Sequence, residues 1–282
     1  MADSPRIAVL GAGNMGEALV AGMLRTGVTP PNKIIATVRT QQRAEAVALR
    51  HGIRVLAGAN LEAAENSDII IAAVKPAVLS RVLEEIRWGL REGKILISIA
   101  ASVPIAVIEK LVSRPLPIFR AMPNTPVTTA EGATCIAANR AARPEHGAAV
   151  ERIFKSVGQV WHVAEDDLHA VTALSGAGPA YICTVIEALT AAALKAGLPR
   201  DIAPALACQT VLGSAKLVRE TGTHPAVLRD QVITPGGVTI AGLHELERHS
   251  IRSAFITAVE AATARSREIT DTIAGALEQS GE

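Results

Sequence analysis

The sequence predicts an α/β protein: an N-terminal Rossmann-like, doubly wound sheet followed by a C-terminal all-helical dimerisation domain. Three observations predict it. Short, continuous apolar runs alternate with helical patterns through the first half, a glycine cluster separates the first run from the first helix, and after about residue 165 only helical patterns remain. With 282 residues, 49% of them hydrophobic, the chain can bury a substantial core in two domains, which we place at 1–165 and 166–282.

The strands come first. "RIAVL" (6–10), "KIIAT" (33–37), "DIIIAAV" (68–74) and "KILISIA" (94–100) are continuous rather than alternating in apolar residues, the pattern of strands covered on both faces. Between them, "MGEALVAGMLRTG" (15–27) and "PAVLSRVLEEIRWGL" (76–90) carry apolar residues at helical spacing. "LPIFRAM" (116–122), "EGATCIAAN" (131–139) and "GQVWHV" (158–163) read as three further strands extending the sheet. Beyond them, "DDLHAVTAL", "PAYICTVIEALTAAALKAG", "DIAPALACQTVLGSAKLVRETG", "HPAVLRDQ", "VTIAGLHELERH" and "SIRSAFITAVEAATARSREITDTIAGAL" are helices punctuated by Gly, Pro and Asp. Their alanine-rich, charge-poor surfaces call for cover, and a second copy of the chain would supply it, as a homodimer or higher homo-oligomer.

Composition excludes several classes of partner. The 28 basic and 27 acidic residues leave a net charge of +1, so no global field draws nucleic acid or an anionic membrane, and 2% aromatic residues provide no base-stacking platform. The N-terminus lacks a basic region ahead of its apolar run, and the longest later apolar stretch, Tyr181–Ala196, is broken by Glu187 and Lys195 short of the ~20 residues of a span. The expectation is a soluble, cytoplasmic protein with a small-molecule substrate. Cys135, Cys183 and Cys208 are odd in number and far apart, so they read as buried small hydrophobes rather than a disulfide or metal site.

The glycine cluster is the first functional motif. Gly11-Ala12-Gly13-Asn14-Met15-Gly16 has G-x-G-x-x-G spacing between a strand and a helix, the context in which a tight turn, close backbone approach and a helix N-terminus together hold a dinucleotide pyrophosphate. An NAD site places an acid near the end of the second strand for the ribose hydroxyls. Here that place reads "IIATVRTQQR", and the first acid after it is Glu45. Thr37, Arg39 and Arg43 instead offer a hydroxyl and two cations to a 2′-phosphate, so NADP(H) is preferred with NAD(H) possible. The turns holding Lys75-Pro76 and "SIAASVP" (98–104) follow strands and face the same crevice.

Seven segments in order, "GAGNMG", "AVKP", "MPNTP", "EGAT", "LSGAGPAY", "KAGLPR" and "DQVITPGGVTIAGLHELE", resemble one family over nearly the whole chain, the pyrroline-5-carboxylate reductases. The resemblance implies an oxidoreductase of proline biosynthesis: NAD(P)H-dependent reduction of 1-pyrroline-5-carboxylate to L-proline, with active sites near a subunit interface. By position it implies cofactor-phosphate contacts at Thr37 and Asn60 and a cofactor crevice at Val74, Lys75, Pro76, Ala100 and Ala101. It implies substrate contacts at Glu165, Val238 and Thr239. Gln231 stands where the family often has Asn. The nearest rival, a β-hydroxyacid dehydrogenase, would need an asparagine environment that Lys216 in "GSAKLVRE" lacks.

"TPGGVT" (234–239) suits a reaction that needs no strong enzymic acid. A cyclic imine takes its proton from solvent near neutrality, so positioning and dipoles dominate. Glycines let backbone amides approach a ligand at a helix start, which assigns Gly236, Gly237 and Val238 to a substrate carboxylate and Thr239 to the ring nitrogen, as the catalytic residue. Thr234 as N-cap and Pro235 at the first helical position are a second expectation for the same turn. Ser175 belongs to a glycine-broken junction that either lines the active site or serves close structural packing, with the active-site reading preferred, and His169, His224 and His244 read as structural.

Overall fold

The computed structural model describes residues 4–279 and divides into two compact units, residues up to Ala177 together with those from Ala262 onward, and Gly178–Ala261. The first unit is the sheet. It begins β1 (Ile7–Leu10), α1 (Asn14–Thr26), β2 (Ile34–Val38), α2 (Gln41–His51), β3 (Arg54–Ala57), α3 (Asn60–Glu65), β4 (Ile69–Ala72), α4 (Pro76–Ile86), β5 (Ile95–Ser98) and α5 (Ile105–Val112). It continues β6 (Ile118–Met122), β7 (Gly132–Ala138), α6 (Pro144–Lys155), β8 (Gly158–His162) and the short α7 (Leu168–Val171), which passes into a π-helical turn at Thr172–Gly176.

The eight strands lie in the order β3-β2-β1-β4-β5-β6-β7-β8, all parallel to their neighbours except at the β6/β7 pair. β1 pairs with β2 on one side and β4 on the other, so the order reverses there. Ligands bind outside the carboxyl ends of strands at such a switch point. Alternate residues of β1 feed two hydrophobic layers. Ala8 and Leu10 join Leu79, Leu83 and Ile86 of α4, while Ile7 and Val9 join Leu19 and Met23 of α1 with Phe119 and Phe154. Each fully buried Leu, Ile or Phe contributes about 1.5–3 kcal/mol, which makes this double layer the frame that fixes the strand ends.

β3 is absent from the sequence reading, as are α2, α3, α5 and α6. β3 is a four-residue edge strand with no fully buried residue, so it carries no apolar run to read.

The end of the chain returns to this unit. The part of α12 (Ile251–Gln279) beyond Ala262 packs Ile273 and Ala274 against the β4/α4 layer. Ser266 is buried and shares a hydroxyl contact with Ser102 at 3.4 Å, while the Thr270 hydroxyl donates to the Ser102 carbonyl at 3.1 Å. Ser102 has a left-handed backbone (φ 61°), an unfavourable conformation for a residue with a Cβ, and these contacts hold it. His169 Nδ1 lies 3.0 Å from the Ser266 hydroxyl. Burial first, then the charges of Arg120 and Arg267, push the His169 pKa down against Asp166 and Asp271.

The second unit holds α8 (Gly178–Lys195), α9 (Ala203–Thr221), α10 (Pro225–Gln231), α11 (Val238–Arg248) and the start of α12. α8 and α9 pack on each other, yet α8, α10 and α11 contain no buried residue and α9 buries only Ala203 and Ala207. Leu189, Leu206, Leu212, Leu217 and Phe255 are among its exposed large apolar side chains. Two expectations are corrected here. Cys183 and Cys208 are exposed, because the helices that carry them have no covering layer within the chain, while Cys135 is half-buried. The apolar stretch that begins at Tyr181 extends back through the π-helical turn to Glu165, so the helical run Glu165–Lys195 has 31 residues rather than fewer than ~20 and is long and apolar enough to cross a membrane by length and composition alone, with none of its most apolar window buried. This is the same uncovered surface seen on the neighbouring helices.

Candidate active site

The glycine turn is built by the strands around it. The Gly11 and Ala12 amides both donate to the Thr37 carbonyl, at 3.1 and 2.8 Å, which pins the exit of β1 to the end of β2. Gly11 has φ +94°, and a Cβ there would come within 2.9 Å of the Ala73 carbonyl oxygen. Gly16 is equally closed, with the Gly11 carbonyl 2.5 Å from a built Cβ, whereas a Cβ on Gly13 would meet nothing within 4 Å. The turn is therefore packed on its inner side and open on its outer side. α1 starts at Asn14 with Gly13 as N-cap and no side-chain cap, and its first ladder bond is Glu17 N–H to Gly13 at 2.8 Å. The Asn14, Met15 and Gly16 amides thus lack helical partners and, with the dipole, form an anion cradle that fits a dinucleotide pyrophosphate.

The groups around the adenosine end are less free than the sequence suggests. Thr37 is buried; its hydroxyl accepts from the Gly11 amide at 3.2 Å and donates to Asn60 Oδ1 at 2.6 Å, while Asn60 Nδ2 donates to Glu85 at 2.9 Å. Arg43, the third residue of α2, is hydrogen-bonded to Glu17, as is Arg50, and His51 Nε2 lies 3.1 Å from the same carboxylate. Burial raises the Glu17 pKa, but the His51 and Arg50 hydrogen bonds and the charges of Arg43 and Arg50 outweigh it and hold the group below its usual value. Arg39 is exposed and has no hydrogen bond or ion pair among the described residues. The sequence reading missed Glu17; the available signal was an acid directly after the fingerprint.

On the other side of the switch point, Val74 and Lys75 lead into α4, with Lys75 as its N-cap and Pro76 in its first turn. Lys75 is exposed, Ala100 is buried and Ala101 is half-buried in the turn after β5. The Ser175 hydroxyl donates back to Val171 at 3.0 Å, and its carbonyl accepts from Asn124 Nδ2 at 3.0 Å. Glu165 Oε1 accepts from the Ile105 amide at 2.7 Å and from Arg120 Nη1 at 3.1 Å, and Arg120 is itself buried. Glu165 is thus tied into the sheet unit by one oxygen.

In the second unit, Thr234–Gly237 form a turn with Gly237 N–H donating to the Thr234 carbonyl at 3.0 Å and Gly236 at φ +68°. Proline second and a left-handed glycine third is the type II pattern. The N-cap of α11 is therefore Gly237, not Thr234, and Pro235 sits in the turn rather than in the helix. A Cβ on Gly237 would lie 2.2 Å from the Thr234 hydroxyl and would have to displace that side chain, while the left-handed φ of Gly236 is the position that favours glycine. No side chain caps α11, which leaves the Val238, Thr239 and Ile240 amides without helical partners. Most serines and threonines on these helices, Thr184, Thr190, Thr210 and Ser214 among them, bond the carbonyl four residues back. Thr239 sits too early in its helix for that, and its hydroxyl makes no hydrogen bond among the described residues. An open cleft of about 570 Å³, lined in part by Arg229, Gly236, Gly237, Ile240 and His244, lies beside the turn.

Comparison with known proteins adds ancestry to this geometry. The profile described as pyrroline-5-carboxylate reductase dimerisation matches residues 165–269, and that of NADP oxidoreductase, coenzyme F420-dependent, matches residues 6–102. A pyrroline-5-carboxylate reductase of Arabidopsis thaliana is 41% identical over 95% of this chain and 96% of its own. The chain belongs to the pyrroline-5-carboxylate reductase family.

Among solved structures, the pyrroline-5-carboxylate reductase of Coxiella burnetii superposes with a TM-score of 0.90 at 36% identity, covering 95% of this chain and 99% of its own. A Plasmodium falciparum pyrroline carboxylate reductase with NADP bound superposes at 0.85 with 31% identity, covering 95% and 99%. As a pyrroline-5-carboxylate reductase, the chain is an oxidoreductase with a Rossmann-like sheet unit and a helical dimerisation domain. The match to a dimerisation domain covers the helices α8–α11 that carry the uncovered apolar side chains.

Proposed function

We propose that the chain reduces 1-pyrroline-5-carboxylate to L-proline with NADPH, accepts NADH less well, and works as a homodimer or larger homo-oligomer. The observation that carries this reading is the Thr239 hydroxyl, unbonded at the start of an uncapped helix that follows a glycine-closed turn. When bound, the nicotinamide dinucleotide supplies a hydride. The residues that would hold it are Gly11–Gly16 at the pyrophosphate, Thr37, Arg39 and Asn60 at the adenosine ribose, and Val74–Pro76 with Ala100 and Ala101 along the crevice.

The substrate's carboxylate is held by the Gly236 and Val238 amides, with the Gly237 amide spent on closing the turn onto the Thr234 carbonyl, where the dipole of α11 favours an anion. Thr239 directs its hydroxyl to the ring nitrogen, and on family resemblance Glu165 and Ser175 also contact the substrate. No carboxylic acid is needed to protonate the ring, because solvent supplies the proton to an imine before reduction. Among the described residues no cluster of His, Cys, Asp and Glu is arranged to hold a metal, and this chemistry does not call for one.

Purified protein incubated with NADPH and 1-pyrroline-5-carboxylate should oxidise the cofactor with stoichiometric formation of proline; no loss of NADPH absorbance would overturn the assignment. Because Arg39 is the uncommitted cation beside β2, Arg39→Ala should raise the KM for NADPH about tenfold and leave that for NADH nearly unchanged, in steady-state assays with each cofactor.

A further inference from the structure

Two of the three groups that the sequence offers to a 2′-phosphate are already engaged. The Thr37 hydroxyl is closed into the Gly11 and Asn60 bonds, and Arg43 is bonded to Glu17. Glu17 is itself buried in the first turn of α1, directly after the fingerprint, where it gathers Arg43, Arg50 and His51 onto one carboxylate. A carboxylate so placed acts against a second phosphate through Arg43: it occupies a cation of α2 that a 2′-phosphate would otherwise attract.

We infer that Glu17 sets the cofactor selectivity of this enzyme by withholding Arg43 from the 2′-phosphate, so that discrimination between NADPH and NADH rests on Arg39 alone. The inference rests on the NADP reading above and deepens it. It fits the proposed access to NADH: of the two arginines at positions 39 and 43, only Arg39 is available to a second phosphate. Arg50 and His51 have the complementary role of keeping Glu17 ionised, since both lie against its carboxylate.

The test measures fragments of the cofactor, so it does not depend on turnover. Binding of adenosine 2′,5′-bisphosphate and of adenosine 5′-monophosphate is measured by titration calorimetry on full-length wild type, Glu17→Gln, Arg43→Ala, Arg39→Ala and the Glu17→Gln/Arg43→Ala double variant. Glu17→Gln should tighten the bisphosphate about fivefold, the equivalent of one partly exposed ion pair, with the monophosphate unchanged. The double variant should return to the wild-type value, and Arg43→Ala alone should bind both nucleotides as wild type does. Weaker bisphosphate binding in Arg43→Ala, or in Glu17→Gln, or a gain that survives in the double variant, would overturn the inference. Should Glu17→Gln fail to fold, the single Arg43→Ala result still decides. Equal wild-type affinity for the two nucleotides, unaltered by Arg39→Ala, would instead remove the NADP preference while a Glu17→Gln gain would still stand. Failure of wild type to bind either nucleotide removes both.

Discussion

Thr239→Ala is expected to lower kcat about a hundredfold while the melting temperature and the KM for NADPH stay at wild-type values. The size follows from the loss of one positioned hydroxyl at a reacting centre, where a single donor is worth about 10²–10³ in rate. The selectivity of the effect follows from the structure. The Thr239 hydroxyl makes no hydrogen bond among the described residues, so its removal strands no buried partner, and helix propensity favours alanine at that position. Thr239→Ser should recover most of the activity, because it restores the hydroxyl without the methyl group. Unchanged turnover in Thr239→Ala would show that the ring nitrogen is served by another group.

The second large effect concerns stability. Glu165→Ala removes the acceptor that holds both the buried Arg120 guanidinium and the first amide of α5. Breaking a buried pair from one side costs about 3–5 kcal/mol, and because the Glu165 side chain is 32% exposed, water can reach part of the gap. We expect a loss of about 2–3 kcal/mol, read as a fall in melting temperature of roughly 5–10 °C. Glu165→Gln keeps an oxygen for the Ile105 amide and should lie between wild type and Ala. A melting temperature unaffected by Glu165→Ala would show that the tether is dispensable. Substrate contact by Glu165 would have to come from the carboxylate oxygen that Arg120 and Ile105 leave free, so a raised KM for the imine in Glu165→Gln would accompany it.

Much of the fold was legible because burial writes itself into the sequence. β1, β4 and β5 are covered on both faces and read as unbroken apolar runs, while the glycine turn shows because Gly11 and Gly16 have no room for a Cβ. β3 escaped because an edge strand with no buried residue has no such run. Serine at a left-handed position, as at Ser102, gives no local signal either; it is held by Ser266 and Thr270, more than 160 residues away.

The site divides along the same line. Local features such as the Pro-Gly-Gly turn and the missing acid after β2 could be read directly. Pairings between segments could not. The sequence presents Arg39 and Arg43 as equivalent cations, and only the fold shows that one of them is bonded to Glu17. Likewise the N-cap of α11 was misplaced by three residues because Thr-Pro signals a helix start and a type II turn equally well, and the φ of Gly236 decides between them.

The helical unit has further meaning for how the enzyme exists in solution. In the homo-oligomer proposed above, helices α8, α10 and α11, which bury no residue of their own, draw from another copy much of the free energy that orders them, and that share scales with how many copies are present. Folding of this half of the chain and assembly are then one process. Its durability is a property of the population of chains rather than of the single molecule: dilution acts on it as a denaturant, and abundance as a stabilising ligand.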